Sequence, residues 1–400
     1  MKFKLILIFL FLLSILSTPT ISTVFAEENE QEEKIEDLQQ ELEDATYEQL
    51  NSFDFSELQD ILYDLDENSK KAFNSNSFLD KTQRILNGDF QNDYQNFFSA
   101  LFGTFFSDIL KFLPLLITIV IVTILCNIIG SFKGEVSHNG VSQIVNFVCF
   151  GVVVVIIISV VVSMFGSVKS VLKTMQTEVN IIFPILLTCM ASVGGSVSVG
   201  IFQPIVAILA NIVVNIFMFV VMPIFVFMFV LNIINNFSDS IKLNKLISFL
   251  SSSLKWVCGI SFGVFLGILS LHGIAAGSFD SVSIKATKFA LKSYVPILGG
   301  YLSDGFNIAM AGSVLIKNAV GVSGILLICS SVLIPVISII CLMLLLKLTA
   351  GILEPLGGST IPNFLYQVSK TLSLLVMIVL GVLFMFVITI GLILCMANVI

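Results

Sequence analysis

After Leu110, the sequence consists of apolar runs that are long enough to cross a lipid bilayer as helices. Ile144–Phe165 and Leu372–Met396 are each about 20 residues or longer, and an α-helix of about 20 apolar residues covers the roughly 30 Å of hydrocarbon in a membrane. Several such runs in one chain predict an all-α, polytopic membrane protein. Its function is therefore expected in or across a bilayer, which excludes most activities of soluble enzymes.

The first 26 residues have the pattern of a secretory signal peptide. Lys2 and Lys4 precede the apolar segment Leu5–Leu16, and small residues lead to Ala26. A basic start, a short apolar stretch and a small-residue cleavage site are typical of such signals. We predict a signal peptide over residues 1–26, with an uncleaved membrane anchor as the alternative. Both interpretations place the chain from Glu27 onward outside the cytoplasm.

Most of the acidic residues lie directly after this signal. Residues 27–98 contain 20 of the 27 acidic residues and only 5 basic ones. Such a segment repels anionic lipid and nucleic acid, so we predict no nucleic-acid partner. It favours a solvated or protein-docking surface. We predict an acidic, helical extracytoplasmic region over residues 27–108, followed by a polytopic membrane domain over residues 109–400.

Two apolar patterns occur within the acidic region. Phe55, Leu58 and Leu62 are spaced for an amphipathic helix, and Asn87-Gly88 is typical of a helix end. The aromatic cluster between Phe97 and Phe106 predicts a helix that lies on the outer leaflet. Packing of this cluster against the acidic region is the alternative.

The positions of the lysines order the apolar runs into about six spans. Lys242, Lys245 and Lys255 mark a cytoplasmic segment, in agreement with the positive-inside rule. The carboxyl terminus is then outside, and the count rises to eight if two interrupted segments also cross. The predicted spans are Phe112–Ile129, Ile144–Phe165, Ile201–Ile234, Val257–Ile274, Ile325–Leu346 and Leu372–Met396.

Proline and glycine interrupt two apolar segments, which begin near Glu178 and Lys285. Non-helical backbone is tolerated at membrane depth only where protein or a wet cavity surrounds it. We predict that both segments are re-entrant or interfacial elements on the outer side, although Lys169 and Lys173 would then contradict the positive-inside rule. The interrupting residues are Pro184, Gly194, Gly195, Pro296, Gly299 and Gly300.

The two interrupted segments occupy matching places in the chain. A shift of 112 residues aligns Phe150-Gly151-Val152 with Phe262-Gly263-Val264, and Pro184-Ile185-Leu186 with Pro296-Ile297-Leu298. We predict a parallel internal repeat with copies at about residues 144–235 and 256–347, each with two crossings. Chance matching in an apolar composition is the alternative.

Two residue patterns within the spans indicate helix contacts. Gly259, Gly263 and Gly267 form a GxxxGxxxG face, which lets two helices approach closely within or between subunits. A second stripe, formed by Gln203, Asn211 and Asn215, is expected to bond across the helical bundle or to line a wet path.

Residue patterns for catalysis are missing from the sequence. It contains no GxGxxG or Walker pattern, and neither its two histidines nor its seven cysteines have the spacing of a metal site. We predict no enzyme activity, no cofactor and no metal, and cysteines that lie in the core or face lipid.

Taken in order along the chain, several short motifs resemble the stage III sporulation protein AE family of endospore-forming bacteria. No single motif is diagnostic, so the resemblance depends on their order and spacing over nearly the whole chain. The motifs are Pro184 with Gly194-Gly195, Gln203-Pro204, Lys255-Trp256 before the glycine face, Asp280 with Lys285, Pro296 to Gly300, Lys317-Asn318-Ala319 with Gly321, and Glu354-Pro355.

The resemblance implies a component of the channel-like, secretion-like complex that connects the mother cell and the forespore. The protein would then lie in the mother-cell membrane around the forespore. Its partners would include ring-forming single-pass proteins, a secretion-type ATPase and further copies of itself. The alternative is an autonomous secondary transporter for a small solute, which a repeat with interrupted segments would also suit.

Overall fold

The computed structural model describes residues 42–89, 91–131, 139–192, 195–237, 242–294, 299–356 and 359–396. Every regular element in these ranges is helical, which confirms the predicted all-α class. Residues 45–400 form one compact unit, while residues 42–44 are the described part of a separate unit that begins at Met1. The predicted signal peptide, Gly194 and Pro296 lie outside the described residues.

Four short helices precede the long ones. The helix α1 covers residues 42–51, α2 is Ser56–Asp64, α3 is Glu67–Phe73 and α4 is Phe78–Leu86. The predicted amphipathic stripe is confirmed, since α2 buries Leu58 and Leu62. The predicted helix end is confirmed as well, because α4 ends just before Asn87 and Gly88 has a φ of 75°, a left-handed conformation that favours glycine.

Seven longer helices follow, two of which form one nearly continuous rod. They are α5 (Gln91–Ser131), α6 (Asn139–Ser192), α7 (Ser196–Ile216), α8 (Met222–Phe237), α9 (Asn244–Tyr294), α10 (Gly299–Leu353) and α11 (Thr360–Cys395). A π-helical turn, Phe217–Val221, joins α7 to α8 directly before Pro223, which has no N–H for a regular helical bond.

Six of the resulting rods are long and apolar enough to cross a membrane, as predicted. Each predicted span overlaps one of them. The six are Asp93–Ile129, Ile144–Ser192, Ser198–Phe237, Asn244–His272, Asn307–Leu356 and Thr360–Cys395.

The interrupted segments are helical in the parts that the structure describes, and their re-entrant or interfacial placement remains a prediction. Pro184 lies inside α6, which continues through it to Ser192, and Gly195 precedes α7. In the second segment α9 continues to Tyr294 and α10 begins at Gly299 and Gly300. The backbone stays helical because a proline removes only one hydrogen bond, and neighbouring helices still pack around the rod.

The aromatic cluster is also part of a long helix rather than a separate interfacial one. The helix α5 runs without a break from Gln91 through the cluster into the first span. Phe98, Phe102 and Phe106 are exposed, at 40%, 63% and 63%, while Phe97 and Phe105 pack against the core. The prediction of a helix lying flat on the outer leaflet was therefore wrong.

The two proposed repeat copies share an order of elements but not the position of the turn. Each contains one long helix, a turn and a second long helix that returns. The first turn lies between Ser192 and Gly195, whose equivalents after a shift of 112 residues fall inside α10 rather than at the second turn. The internal repeat remains a prediction.

The helix α10 is the centre of the bundle. It contacts α4, α5, α6, α9 and α11, and 67% of its 18-residue apolar stretch is buried, the largest share among the six. The helix α9 is at the periphery, with 22% of its corresponding stretch buried. Interactions that organise the fold are therefore concentrated on α10.

Candidate functional site

The exposed face of α6 changes character along the helix. Large apolar side chains are exposed from Ile144 to Val162, a length of roughly 27 Å at 1.5 Å per residue, which matches the hydrocarbon thickness of a bilayer. Beyond Val162, the exposed residues of α6 are small or polar. These are Ser163, Gly166, Lys169, Ser170, Lys173, Thr177, Asn180, Pro184, Thr188, Ala191 and Ser192.

The helix α6 therefore continues well beyond the part suited to lipid. Residues 163–192 add roughly 45 Å of helix, and α7 returns beside them. Asn211 of α7 accepts a hydrogen bond from Gln176 of α6 and lies 3.5 Å from Asn180 of the same helix. We call α6 residues 163–192 together with α7 the α6–α7 extension. Its α6 part offers a polar surface, whereas α7 also exposes Ile208 and Ile212.

The predicted polar stripe lies on this extension, but its three residues differ in their contacts. Asn211 bonds across the hairpin as described and also donates to the carbonyl oxygen of Ala207 at 2.7 Å. Gln203 and Asn215 are exposed. The structure thus brings Asn211 together with Gln176 and Asn180, two residues that sequence reasoning did not select.

The predicted glycine face is open in the structure. Gly259, Gly263 and Gly267 are exposed on α9, and a Cβ atom added to any of them would meet nothing within 4 Å. The close glycine contacts lie elsewhere. A Cβ atom at Gly381 would lie 1.9 Å from the ring of Phe262, and one at Gly321 would lie 2.4 Å from Leu394.

Polar side chains on α10 contact other elements one by one along its length. Ser323 is 3.0 Å from Thr82 of α4, and Ser313 is 3.0 Å from Gln49 of α1. Ser338 donates to Asp108 of α5. Because unpaired buried polar groups are costly, each of these pairs fixes how one element sits against α10.

Buried Lys317 holds the end of the last helix. Its ammonium group donates to the carbonyl oxygen of Leu394 at 3.0 Å and to that of Met396. These carbonyl groups lie at the carboxyl end of α11, where the helix dipole favours a positive charge. Sequence analysis named Lys317 as part of a motif but did not predict this partner.

A buried ion pair attaches α4 to the start of α5. Lys81 and Asp93 are 1% and 6% exposed, and the lysine ammonium lies 2.8 Å from the aspartate carboxylate. Asn74 donates to the same carboxylate at 2.8 Å, and Arg84 lies at 3.5 Å. Burial lowers the pKa of Lys81, and the hydrogen bond with Asp93 opposes part of that shift.

The cysteines differ from the prediction in one respect. Cys126 of α5 and Cys149 of α6 form a disulfide, which cysteine spacing did not predict. Cys189, Cys258, Cys329 and Cys341 are free and buried, and Cys395 is free and exposed. Among the described residues, no three His, Cys, Asp or Glu side chains are grouped so that they could hold a metal ion.

Comparison with known proteins gives one consistent result. The family model of stage III sporulation protein AE matches residues 76–397. The stage III sporulation protein AE of Bacillus subtilis (strain 168) is 25% identical over 231 residues, which are 58% of this chain and 58% of that protein. The alignment thus spans less than two thirds of that relative. No solved structure matches the chain.

Proposed function

Because the chain belongs to the stage III sporulation protein AE family, we propose that it is an integral membrane component of the channel-like complex that connects mother cell and forespore. The family match supports a role in sporulation. The six membrane-length helices support residence in a bilayer. The single observation that carries the proposal further is the α6–α7 extension, in which α6 continues beyond its lipid-facing part with a polar exposed face.

The signal peptide and the extension suggest on which side the partners bind. The start of α5 and the extension lie at the same end of the bundle, since Ser331 and Ser338 of α10 bind Glu178 of α6 and Asp108 of α5, respectively. If the signal exports the chain after Ala26, the extension projects into the space between the two membranes. Ring-forming single-pass proteins of the complex would then contact it there, whereas the secretion-type ATPase would bind at the opposite end.

The exposed residues of the extension suit contact with protein. Lys169 and Lys173 are exposed one helical turn apart, and Thr177, Asn180 and Thr188 continue the same face. Such a surface offers hydrogen-bond donors and acceptors, and it would be costly to bury in lipid. A second copy of the chain or an acidic partner could satisfy it.

The test uses site-specific photo-crosslinking in sporulating cells of the native host. The photoreactive residue replaces Lys173 or Asn180 on the extension, and Val155 in the lipid-facing part of α6 serves as the matched control. We expect protein adducts from Lys173 and Asn180, and lipid adducts alone from Val155. Lipid adducts alone from all three positions would contradict the proposal and favour an autonomous transporter.

A second measurement links the adducts to sporulation. Deleting the gene should reduce the number of heat-resistant spores, and the full chain should restore it. A chain that carries bulky Trp at both Lys169 and Lys173 should insert normally but fail to restore spores. Full restoration by that variant would show that this face of the extension has no partner needed for sporulation.

A further inference from the structure

Glu178 is a buried carboxyl group in the contact between α6 and α10. It is 0% exposed, and its Oε2 atom lies 3.1 Å from the hydroxyl oxygen of Ser331 on α10. Its Oε1 atom has no hydrogen-bond partner in the described part of the chain. A buried carboxyl oxygen without a partner is rare and requires a physical explanation.

The hydrogen-bond donors and acceptors at this contact fit a protonated Glu178 better than an ionised one. The hydroxyl of Ser331 also lies 3.0 Å from the carbonyl oxygen of Ile328, which can only accept. A serine hydroxyl has a single proton to donate. Both short contacts become hydrogen bonds if Ser331 donates to Ile328 and a protonated Glu178 donates to Ser331. An ionised Glu178 would instead compete with Ile328 for that one proton.

In the part of the chain that the structure describes, the helices packed against Glu178 place no positive charge beside its carboxyl group. The helices α7 and α8 contain no charged residue, and the charged residues of α2 are all acidic. The nearest acidic contact on α10 is that between Ser338 and Asp108, which would oppose a second negative charge. The titratable group of α10 within electrostatic range is the thiol of Cys329.

The cationic side chains of the neighbouring helices are directed elsewhere. Lys317 lies 14 residues before Ser331, roughly 21 Å along α10, and donates to carbonyl groups of α11. Lys111 of α5, Lys370 of α11, and Lys169 and Lys173 of α6 are exposed. A buried carboxylate without a counter-ion costs far more than one unpaired oxygen of a neutral acid.

We propose that Glu178 is a proton-binding site that locks α6 against α10. The carboxyl group keeps its proton while the two helices are in contact, and release of that proton to water requires the helices to separate enough to hydrate the carboxylate. A metal cation fits less well, because a hard cation such as calcium takes 6–8 oxygen ligands and Ser331 supplies one side-chain hydroxyl. This inference does not depend on the proposed function.

Infrared difference spectroscopy on the purified full chain in nanodiscs tests the charge state directly. At about pH 7, well above the ordinary glutamate pKa of about 4.3, the wild type minus Glu178→Gln difference should contain the C=O stretch of a protonated acid. The matched control, Glu354→Gln, removes an exposed acid at the other end of α10 and should show carboxylate bands. Ser331→Ala should shift the protonated band by removing its hydrogen-bond partner.

Two results would overturn the proposal. The first is a Glu178 difference spectrum with carboxylate bands alone at about pH 7. The second is a protonated band that disappears when sodium replaces potassium at constant pH, which would indicate a cation site. Glutamine has the shape of the neutral acid and can donate to Ser331, so Glu178→Gln should fold. Should it aggregate, the Ser331→Ala band shift in the otherwise intact chain still decides the question.

The pH dependence of unfolding gives an independent readout. A group that is protonated when folded and ionised when unfolded loses stability as pH rises above its unfolded pKa. The unfolding equilibrium of the wild type should therefore shift toward the unfolded state by up to about tenfold per pH unit relative to Glu178→Gln. If the unfolding equilibria of the wild type and Glu178→Gln change with pH in the same way, the proposed proton-binding role of Glu178 is contradicted.

Discussion

The contact between α9 and α11 depends on Gly381, and a single methyl group should disrupt it. A Cβ atom at this position would lie 1.9 Å from the ring tip of Phe262 and 2.6 Å from a second ring atom. Real carbon atoms do not approach so closely, so the ring or the helix has to move. The ring has little free room, because Phe217 lies 6.0 Å away between the ring centroids.

The change in folding free energy caused by Gly381→Ala has two opposing contributions. Overpacking a well-packed contact costs typically 1–3 kcal/mol, whereas alanine gains up to about 1 kcal/mol over glycine from helix propensity. Gly263→Ala measures the second contribution alone, because nothing lies within 4 Å of a Cβ atom at Gly263. Relative to Gly263→Ala, the variant Gly381→Ala should therefore lose about 1–3 kcal/mol, or roughly 5- to 150-fold in the folding equilibrium.

The assay is reversible unfolding of the purified chain in mixed micelles, with both alanine variants measured beside the wild type. Gly381→Ala should unfold at a lower denaturant concentration than Gly263→Ala, which should unfold with the wild type or later. Adding Phe262→Leu to Gly381→Ala should recover part of the loss, because the smaller side chain vacates the space. Equal stabilities for the two alanine variants would refute the close packing of α9 and α11.

Three further predictions concern other contacts. Asp93→Asn should cost about 3–5 kcal/mol in the same unfolding assay, because it leaves Lys81 buried without its partner. The loss should shrink as pH rises and Lys81 gives up its proton, and a pH-independent loss would argue against an ion pair. Gly263→Leu should leave the monomer folded but reduce chemical crosslinking between copies in membranes; unchanged crosslinking would remove the proposed packing role. Ser170→Cys, in a background without Cys395, should react with an impermeant thiol reagent from outside intact cells, and protection would reverse the proposed orientation.

The number of membrane-length helices was predictable because burial in lipid imposes a length and a composition on each one. Runs such as Ile144–Phe165 display that requirement directly in the sequence. The ends of the helices were not predictable in this way. The apolar face of α6 beyond Val162 is buried against α10 and α11 rather than in lipid, and hydropathy does not distinguish a protein core from a bilayer.

The glycines also show that a sequence pattern does not reveal which surfaces of the helices are in contact. GxxxG spacing predicts that one face of a helix is flat. It does not identify which helix, if any, packs against that face. In this bundle, Phe262 of α9 packs against Gly381 of α11, while the flat face around Gly263 remains open. Neither Gly321 nor Gly381 belongs to a glycine repeat, so their contacts could be found only once the neighbouring helices were placed.

The polar residues of α10 explain how such an apolar bundle keeps one arrangement. Apolar side chains alone allow helices to slide, because one aliphatic contact resembles the next. A buried serine or lysine allows only positions at which its partner is within hydrogen-bond distance. Along α10, Lys317, Ser323, Ser331 and Ser338 bind α11, α4, α6 and α5 in turn. Four elements are thus held in register on one helix. Of these four contacts, that of Ser331 with Glu178 includes a buried carboxyl oxygen for which the described part of the chain provides no hydrogen-bond partner, so we expect a proton to have its largest effect there.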